Sequence, residues 1–352
     1  MEVNVIKLNV MRRALLGLGL ATALLSAPSW AQSDVEKFYA GKTVDLMIGS
    51  APGGGYYIYA TVLARHMRKH LPGKPNVVTK NAPGAASLVA ANLLYNTQPK
   101  DGTVFGALFM SAIMEPLIGD VTQTHFDPRQ FSFVGSANRE TFICAAWHTS
   151  EVKSLEDMFS KELIIGTSGI TSAIHQYPAV LNGILKTKFK MVAGYKGSHE
   201  AALAMERGET AGICGLQWSS FASTYQHWLD DKKVRIIAQI SLPGGDPALN
   251  AMGVPTIWQY VKSDADKKTL DLFFAQFAFG RPYVLPPGVP ADRVAAVRRA
   301  FDATMKDPEF LAEAEKLKLG IDPVSGEDVQ KLVADIYATP KEEVERARQV
   351  LK

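Results

Sequence analysis

Val44-Asp45-Leu46-Met47-Ile48 leads through Gly49-Ser50-Ala51 into Pro52-Gly53-Gly54-Gly55, and the stretch from Tyr56 to Met67 then places Ile58, Val62, Leu63 and Met67 on one helical face. A five-residue apolar run is strand length, and the small-residue loop that ends it hands the chain to an amphipathic helix, so this stretch reads as a βα unit. The same unit recurs. Asn76-Val77-Val78-Thr79 is followed by a loop over residues 81–86 and a helix with Ser87 as its expected N-cap and Leu88, Ala91, Leu94 and Tyr95 on its apolar face. A third strand over residues 103–108 follows the turn Pro99-Lys100-Asp101-Gly102.

A second block begins after Phe131. Leu163-Ile164-Ile165 enters Gly166-Thr167-Ser168-Gly169 and a helix over residues 172–184, and Lys190-Met191-Val192 enters Gly194-Tyr195-Lys196-Gly197-Ser198 and a helix from His199 to Arg207. Residues 211–214 and 234–240 read as further strands. Residues 273–283 form an apolar crossing segment, and the chain from Pro290 onward is helical and charged, broken at Pro308, Pro323 and Pro340. Alternation of this kind predicts an α/β fold of mostly parallel sheets with helices on both faces, divided into two domains with a cleft between them.

Length and composition agree. The chain has 352 residues, 47% of them apolar and 21% charged, which is ordinary globular composition and enough chain for two cores. Its first thirty-one residues have the pattern of a signal peptide: Arg12 and Arg13, an apolar stretch from Ala14 to Leu25, and Ser29-Trp30-Ala31 as the cleavage site, with Met11 an alternative start. That stretch is too short to span a bilayer, which takes about 20 apolar residues, and no later run reaches that length. Removing Lys7, Arg12, Arg13 and Glu2 takes the formal charge from +3 to +1. A nearly neutral chain offers no global field for nucleic acid or an anionic membrane. Cys144 and Cys214 leave two readings open, one disulfide in an exported protein or two small buried hydrophobes. No cysteine stands directly after the apolar stretch of the leader, where a lipid anchor would need one.

Helix N-termini carry free N–H groups and a positive partial charge, so several of them meeting at one cleft bind an anion without net charge on the protein. Glycine and other small residues there let a ligand approach the backbone. The candidate ligand-binding residues are therefore Gly53, Gly54 and Gly55 in the first loop region, Pro83, Gly84, Ala85 and Ser87 in the second, and Ser111 beyond the third strand, to which the resemblance below adds Tyr57. In the second block they are Thr167, Ser168, Gly169, Tyr195, Gly197 and Ser198.

With these residues in place the chain resembles the substrate-binding proteins of tripartite tricarboxylate transporters, the TctC or Bug-type receptors. The resemblance is carried by Pro52-Gly53-Gly54-Gly55, Asn81-Ala82-Pro83-Gly84-Ala85, Pro99-Lys100-Asp101-Gly102-Thr103, Gly166-Thr167-Ser168, Tyr195-Lys196-Gly197-Ser198 with Glu200-Ala201, and Val284-Leu285-Pro286-Pro287-Gly288-Val289-Pro290. It runs in order over nearly the whole chain beyond the leader. It implies a periplasmic, monomeric receptor with the two-domain, type II-like periplasmic-binding-protein fold. Residues 32–134 and 273–352 would form one domain, with residues 135–272 inserted as the other. Such a receptor closes on a small carboxylate, a tricarboxylate, dicarboxylate or aromatic carboxylate, and delivers it to integral membrane transporter subunits; no cofactor or metal is implied. The chain departs from the family at Tyr57 and Thr61, where an acidic residue and an arginine are usual, which argues against an amine-bearing ligand. Tyr57 is left either as a hydrogen-bond donor to the ligand or as a packing residue.

Other chemistry is weaker. His66 and His70 have the i,i+4 spacing of a metal face, but Met67-Arg68-Lys69 between them favours a solvated basic face. No phosphate loop, nucleophile elbow or dinucleotide-binding glycine set follows the leader. Asp45, Asp101 and Asp127 are formal acid candidates, with Asp101 better explained by its turn. Trp147 and Trp218 read as core more than cleft, and Lys80, Arg139 and Lys196 as surface cations beside the loops. The competing class is an exported α/β transferase or lyase acting on the same carboxylate, which would need an acid or base in the cleft.

Overall fold

The computed structural model describes residues 33–119 and 121–351. The expected signal peptide and its cleavage site lie outside the described residues. The first block runs α1 (Asp34–Tyr39), β1 (Thr43–Ile48), α2 (Gly55–Met67), β2 (Asn76–Asn81), α3 (Leu88–Asn96), β3 (Val104–Ala107), α4 (Met110–Ile118) and β4 (Ser132–Ser136). Next come β5 (Phe142–Trp147), β6 (Leu163–Thr167), α5 (Ala173–Leu185), β7 (Phe189–Ala193), α6 (Ser198–Glu206), β8 (Gly212–Gln217), α7 (Trp218–Thr224), α8 (Gln226–Asp230), β9 (Val234–Ile240), α9 (Pro247–Ala251) and α10 (Asp264–Phe274). The chain then returns through β10 (Pro282–Leu285), α11 (Ala291–Thr304), α12 (Pro308–Lys316), β11 (Val324–Ser325), α13 (Gly326–Tyr337) and α14 (Lys341–Val350).

Among the described residues the strands make two sheets, ordered β11-β4-β10-β3-β1-β2 and β7-β6-β8-β5-β9. The two-residue period of each strand sorts its side chains between two layers of helix. On β1, Val44, Leu46 and Ile48 join the core that holds Val62, Leu63 and Met67 of α2, while Met47 joins Ala90, Ala91 and Leu94 of α3. In the second sheet Leu163 and Ile165 pack with Tyr177 and Leu181 of α5, and Ile143 and Ile213 with Ala201 and Met205 of α6. Burying one such Leu, Ile or Phe is worth roughly 1.5–3 kcal/mol.

Both sheets are mixed, which corrects the expectation of mostly parallel sheets. The βα units give parallel pairs, β1 with β2 and β3, and β6 with β7 and β8. The strands into which the passages lead run the other way: β10 is antiparallel to β3 and β4, and β5 is antiparallel to β8 and β9. A strand that enters a sheet from its neighbour arrives from the cleft side, opposite to one that is fed by a helix.

The passages are residues 137–141, between β4 and β5, and the segment after α10, where a 3₁₀ turn over Ala275–Phe279 leads to Gly280, Arg281 and β10. Phe142, Tyr177, Phe274 and Phe277 make an aromatic cluster beside them, with ring centroids 4.7–5.8 Å apart. The C-terminal α14 lies against α10 and α4 and is fastened by Arg348 Nε donating to the Leu117 carbonyl at 3.0 Å and by Lys268–Glu343 and Arg346–Asp266 ion pairs. Cys144 and Cys214 are register partners on β5 and β8 and are joined as a disulfide. Of the two readings left open by the sequence, this is the bridged one. No helix of the described residues is long and apolar enough to cross a membrane.

Candidate functional site

A cavity of ≈ 480 Å³ opens between the two sheets. It is reached by loops at the C-terminal ends of β1, β2, β3, β6, β7 and β8, the end of an open α/β sheet where ligands bind. The first sheet contributes Ser50, Gly54, Gly55 and Tyr56, then Ala85 and Ala86, then Phe109, Met110 and Ser111. The second contributes Ser168, Gly169, Ser172, Gln176 and Tyr177, then Lys196, Gly197 and Ser198, then Gly215, Leu216, Gln217 and Ser220, with Phe142 from the passage side.

The helices that begin here begin without side-chain caps. The residues before α2, α4, α5 and α6 are Gly54, Phe109, Ser172 and Gly197, and none of them caps through its side chain. α2, α4 and α5 also lack an acidic residue in the first turn, whereas α6 carries Glu200, which accepts from the Lys196 N–H. The starts of α2, α4 and α5 at the cavity therefore keep their partial positive charge without an acidic side chain of their own to offset it. Among the described residues, Lys196 is the one charged side chain on the lining, and it is exposed.

The remaining wall is apolar and aromatic. Tyr56 stacks on Phe109 with centroids 4.2 Å apart, and Phe142 meets Tyr177 edge-on at 4.7 Å. Tyr56 donates its hydroxyl to the Gly280 carbonyl at 2.9 Å and accepts from the Met110 N–H at 3.4 Å, which ties the start of α2 to a passage and to α4. Burial pushes the Tyr56 phenol up, against a smaller opposing effect from Arg281. It stays neutral and able to donate.

Behind Gly55 sits a buried ion pair. Arg281 Nη2 lies 3.2 Å from Glu140 Oε2 and 3.0 Å from Ser219 Oγ, and the guanidinium lies over the Tyr56 and Tyr59 rings at 4.1 and 4.9 Å. Ser219 in turn donates to Glu140 at 2.6 Å. Burial acts against the Arg281 charge, but Glu140 and the two tyrosines outweigh it and hold the group protonated. A Cβ at Gly55 would stand 2.9 Å from Ser220 Oγ and 3.3 Å from Arg281 Nη2, so a side chain there would press on Ser220 and on the ion pair.

Of the residues expected from sequence, Gly54, Gly55, Ala85, Ser111, Ser168, Gly169, Gly197 and Ser198 line the cavity. Gly53 borders an adjoining cavity of ≈ 420 Å³ that shares Gly54, Gly55 and Ser198. Tyr57 is rotated off the cleft by the helical period and packs against the first sheet's core, with Thr61 donating to its backbone carbonyl at 2.9 Å; Tyr56 takes the cavity position. Pro83 and Gly84 are exposed and stand back from the lining. Thr167 is fully buried with no partner for Oγ1 among the described residues, and Tyr195 covers Gly166 and reaches Glu209 Oε2 at 3.5 Å.

Ser87 is fully buried and caps nothing. Ala85, Ala86 and Ser87 have φ of 43°, 50° and 75°, three successive non-glycine residues in the left-handed region, which costs roughly 1–2 kcal/mol per residue. Residues that the sequence did not flag include Tyr56, Phe109, Phe142, Tyr177 and Gln217. Their only signal is position, beside the ends of strands or in the first two turns of helices.

The other candidates are engaged elsewhere. His66 Nε2 pairs with Glu313 at 2.7 Å and His70 Nε2 with Asp307 at 2.6 Å, so this face is a seam between α2 and α12, not a solvated surface. The Lys69 ammonium lies 2.7 Å from Asp307 and 2.9 Å from Glu309, in the place a metal ion would take. Asp101 closes its turn on the Thr103 N–H and hydroxyl, Asp45 pairs with Lys80, and Arg139 with Asp322. Trp147 packs edge-on to Trp228 in the core, and Trp218 stacks on Phe221.

Comparison with solved structures decides the fold. The periplasmic binding protein BugD superposes with a TM-score of 0.67 at 19% identity, covering 89% of this chain and 98% of its own. The chain has a periplasmic-binding-protein-like fold. MatC from Rhodopseudomonas palustris, solved with bound malate, gives 0.63 at 18% identity over 88% of this chain and 99% of MatC. A second R. palustris protein, solved with adipate, gives 0.64 at 17% over 88% and 97%. No protein-family model matches the sequence, and no curated protein matches it.

Proposed function

We propose that the protein is an extracytoplasmic solute receptor that closes its two lobes on a small carboxylate and passes it to the membrane subunits of a tripartite tricarboxylate-type transporter. The observation that carries this reading is the set of uncapped helix N-termini at Gly54, Phe109, Ser172 and Gly197 around one cavity whose lining holds no acidic side chain among the described residues. Donors fixed in that arrangement suit a carboxylate, and the Tyr56–Phe109 and Phe142–Tyr177 walls suit an apolar body attached to it. Two structural neighbours solved with malate and adipate support the same class. With Lys196 as the single cation on the lining, adipate-like and aromatic carboxylates fit better than a citrate-like trianion. Tyr57, partly buried against the core, leaves no acidic partner for a ligand amine at that position.

Export rests on the leader pattern from Arg12 to Ala31. Closure rests on the two passages that join the sheets, residues 137–141 and 280–281, which are short enough to act as a hinge. The role is binding without turnover, as a monomer that meets the membrane subunits transiently.

A thermal-shift series of the protein without residues 1–31, against adipate, benzoate, malate and citrate, tests this reading. A carboxylate at 100 times its Kd adds about 2.7 kcal/mol. In a chain of this size that raises Tm by several degrees. Silence across the carboxylates with a response to a sugar would overturn the reading.

A further inference from the structure

We propose that Ser87 is the positioning residue of the cleft: its buried hydroxyl fastens together the three first-sheet loops that line the cavity, and the left-handed backbone of residues 85–87 is retained because it brings that hydroxyl to their junction. The inference rests on the reading of this cavity as the ligand site.

Ser87 Oγ donates to the Gly49 carbonyl at 2.9 Å and accepts from the Phe109 N–H at 3.1 Å. Gly49 is the first residue after β1, at the root of the loop that carries Ser50, Gly54 and Gly55 into the cavity. Phe109 immediately precedes α4 and is itself on the lining, as are Ala85 and Ala86 just before Ser87. One hydroxyl thus holds a carbonyl from the first loop and an N–H from the third while belonging to the second. Gly49 is packed so closely on it that a Cβ at position 49 would collide with the Ser87 side chain.

The backbone conformation is the second, independent observation. Three consecutive left-handed residues that carry a Cβ are unfavourable, and such strain persists only where the surroundings over-determine it. Glycine would relieve it at position 87, but glycine has no hydroxyl. A buried Gly49 carbonyl and a Phe109 N–H would then lose their shared partner, and each loop would move separately. Ser87 itself does not touch the cavity, so its effect reaches a ligand through the loops it holds, by fixing their N–H groups before the ligand arrives.

Two variants separate the hydroxyl from the backbone strain: Ser87→Ala removes the hydroxyl and keeps the strained backbone, and Ser87→Gly removes both. Amide hydrogen exchange of the unliganded proteins is read together with titrations of adipate and of benzoate. In Ser87→Ala and Ser87→Gly, exchange at Phe109, Ala86 and Ser50 rises at least tenfold while the strand amides of β1 and β3 keep their rates, and Kd for whichever probe the wild type binds rises at least tenfold. Loop exchange that is unchanged, or that rises only in step with the strands, assigns Ser87 to general stability and overturns the proposal. So does a Kd within twofold in both Ser87 variants. If the wild type binds neither probe, the ligand reading fails while the exchange comparison still decides Ser87. Should Ser87→Ala not fold, Ser87→Gly, whose backbone adopts positive φ freely, carries the same test.

Discussion

α10, α12 and α13, on the outside of the molecule, each start with a side-chain oxygen on their own first-turn N–H groups, from Ser263, Asp307 and Ser325, and each has acidic residues in the first turn. α2, α4 and α5, which start on the cleft, have neither. The outer helices α11 and α14, which follow prolines and lack caps, still carry Asp292 or Glu342 and Glu343 in the first turn. Helix N-termini on the surface can be satisfied by water, so the difference is not needed for folding. It leaves the positive ends of the cleft helices available to a group from outside the chain. The outer helices complete their electrostatics from their own sequence.

Converting one kind of helix start into the other tests the comparison. Gly54 precedes α2 with φ −87° and ψ 165°, a conformation any residue adopts, and a Cβ there meets nothing within 4 Å. Gly54→Asp therefore supplies the missing cap from within. It is expected to weaken carboxylate binding at least a hundredfold while stability holds or rises by a few tenths of a kcal/mol. Isothermal titration against the carboxylate that gives the largest thermal shift, with a urea melt in parallel, reads both. Affinity and stability falling together would mean that the variant had damaged the loop instead.

The reverse change acts on stability alone. Asp307 accepts from the Glu309 and Phe310 N–H groups and from Lys69 and His70. Burial works to raise its pKa, but these hydrogen bonds prevail and hold the carboxyl well below the usual range. A depressed folded-state pKa stabilises above the unfolded value of about 3.9 and loses that contribution as pH falls below it. Asp307→Ala should cost about 1 kcal/mol at neutral pH through the lost cap, flatten the acid limb of the stability curve, and leave carboxylate affinity unchanged. Urea melts between pH 3 and 7 check this, and a change in affinity would break the separation between the two sets of helices.

Much of this was legible in the sequence because each βα unit announces itself locally. The strand at residues 234–240 falls where the apolar run places it, and the glycine loops at residues 53–55 and 197–198 do reach the cavity. Strand direction was not legible beyond those units, since β5 and β10 take their sense from passages between sheets, which no local pattern encodes. Tyr56 and Tyr57 are adjacent in sequence and differ by about 100° of helical rotation, so either is compatible with the motif until the helix is docked. Arg281 did leave a signal, one charged residue inside the apolar stretch from 273 to 283. A buried charge needs a partner, but the sequence does not say that Glu140 is that partner. Ser87 looked like an N-cap by residue type, and only the left-handed backbone turns its hydroxyl inward.

The most direct test of the account follows the backbone amides themselves. Titration of the ¹⁵N-labelled protein with adipate and with benzoate should give the largest downfield amide-proton shifts at residues 55–56, 111, 173–174 and 198–199, with the first turns of α10, α12 and α13 unmoved. Saturable binding of either compound that leaves those cleft amides in place would contradict it.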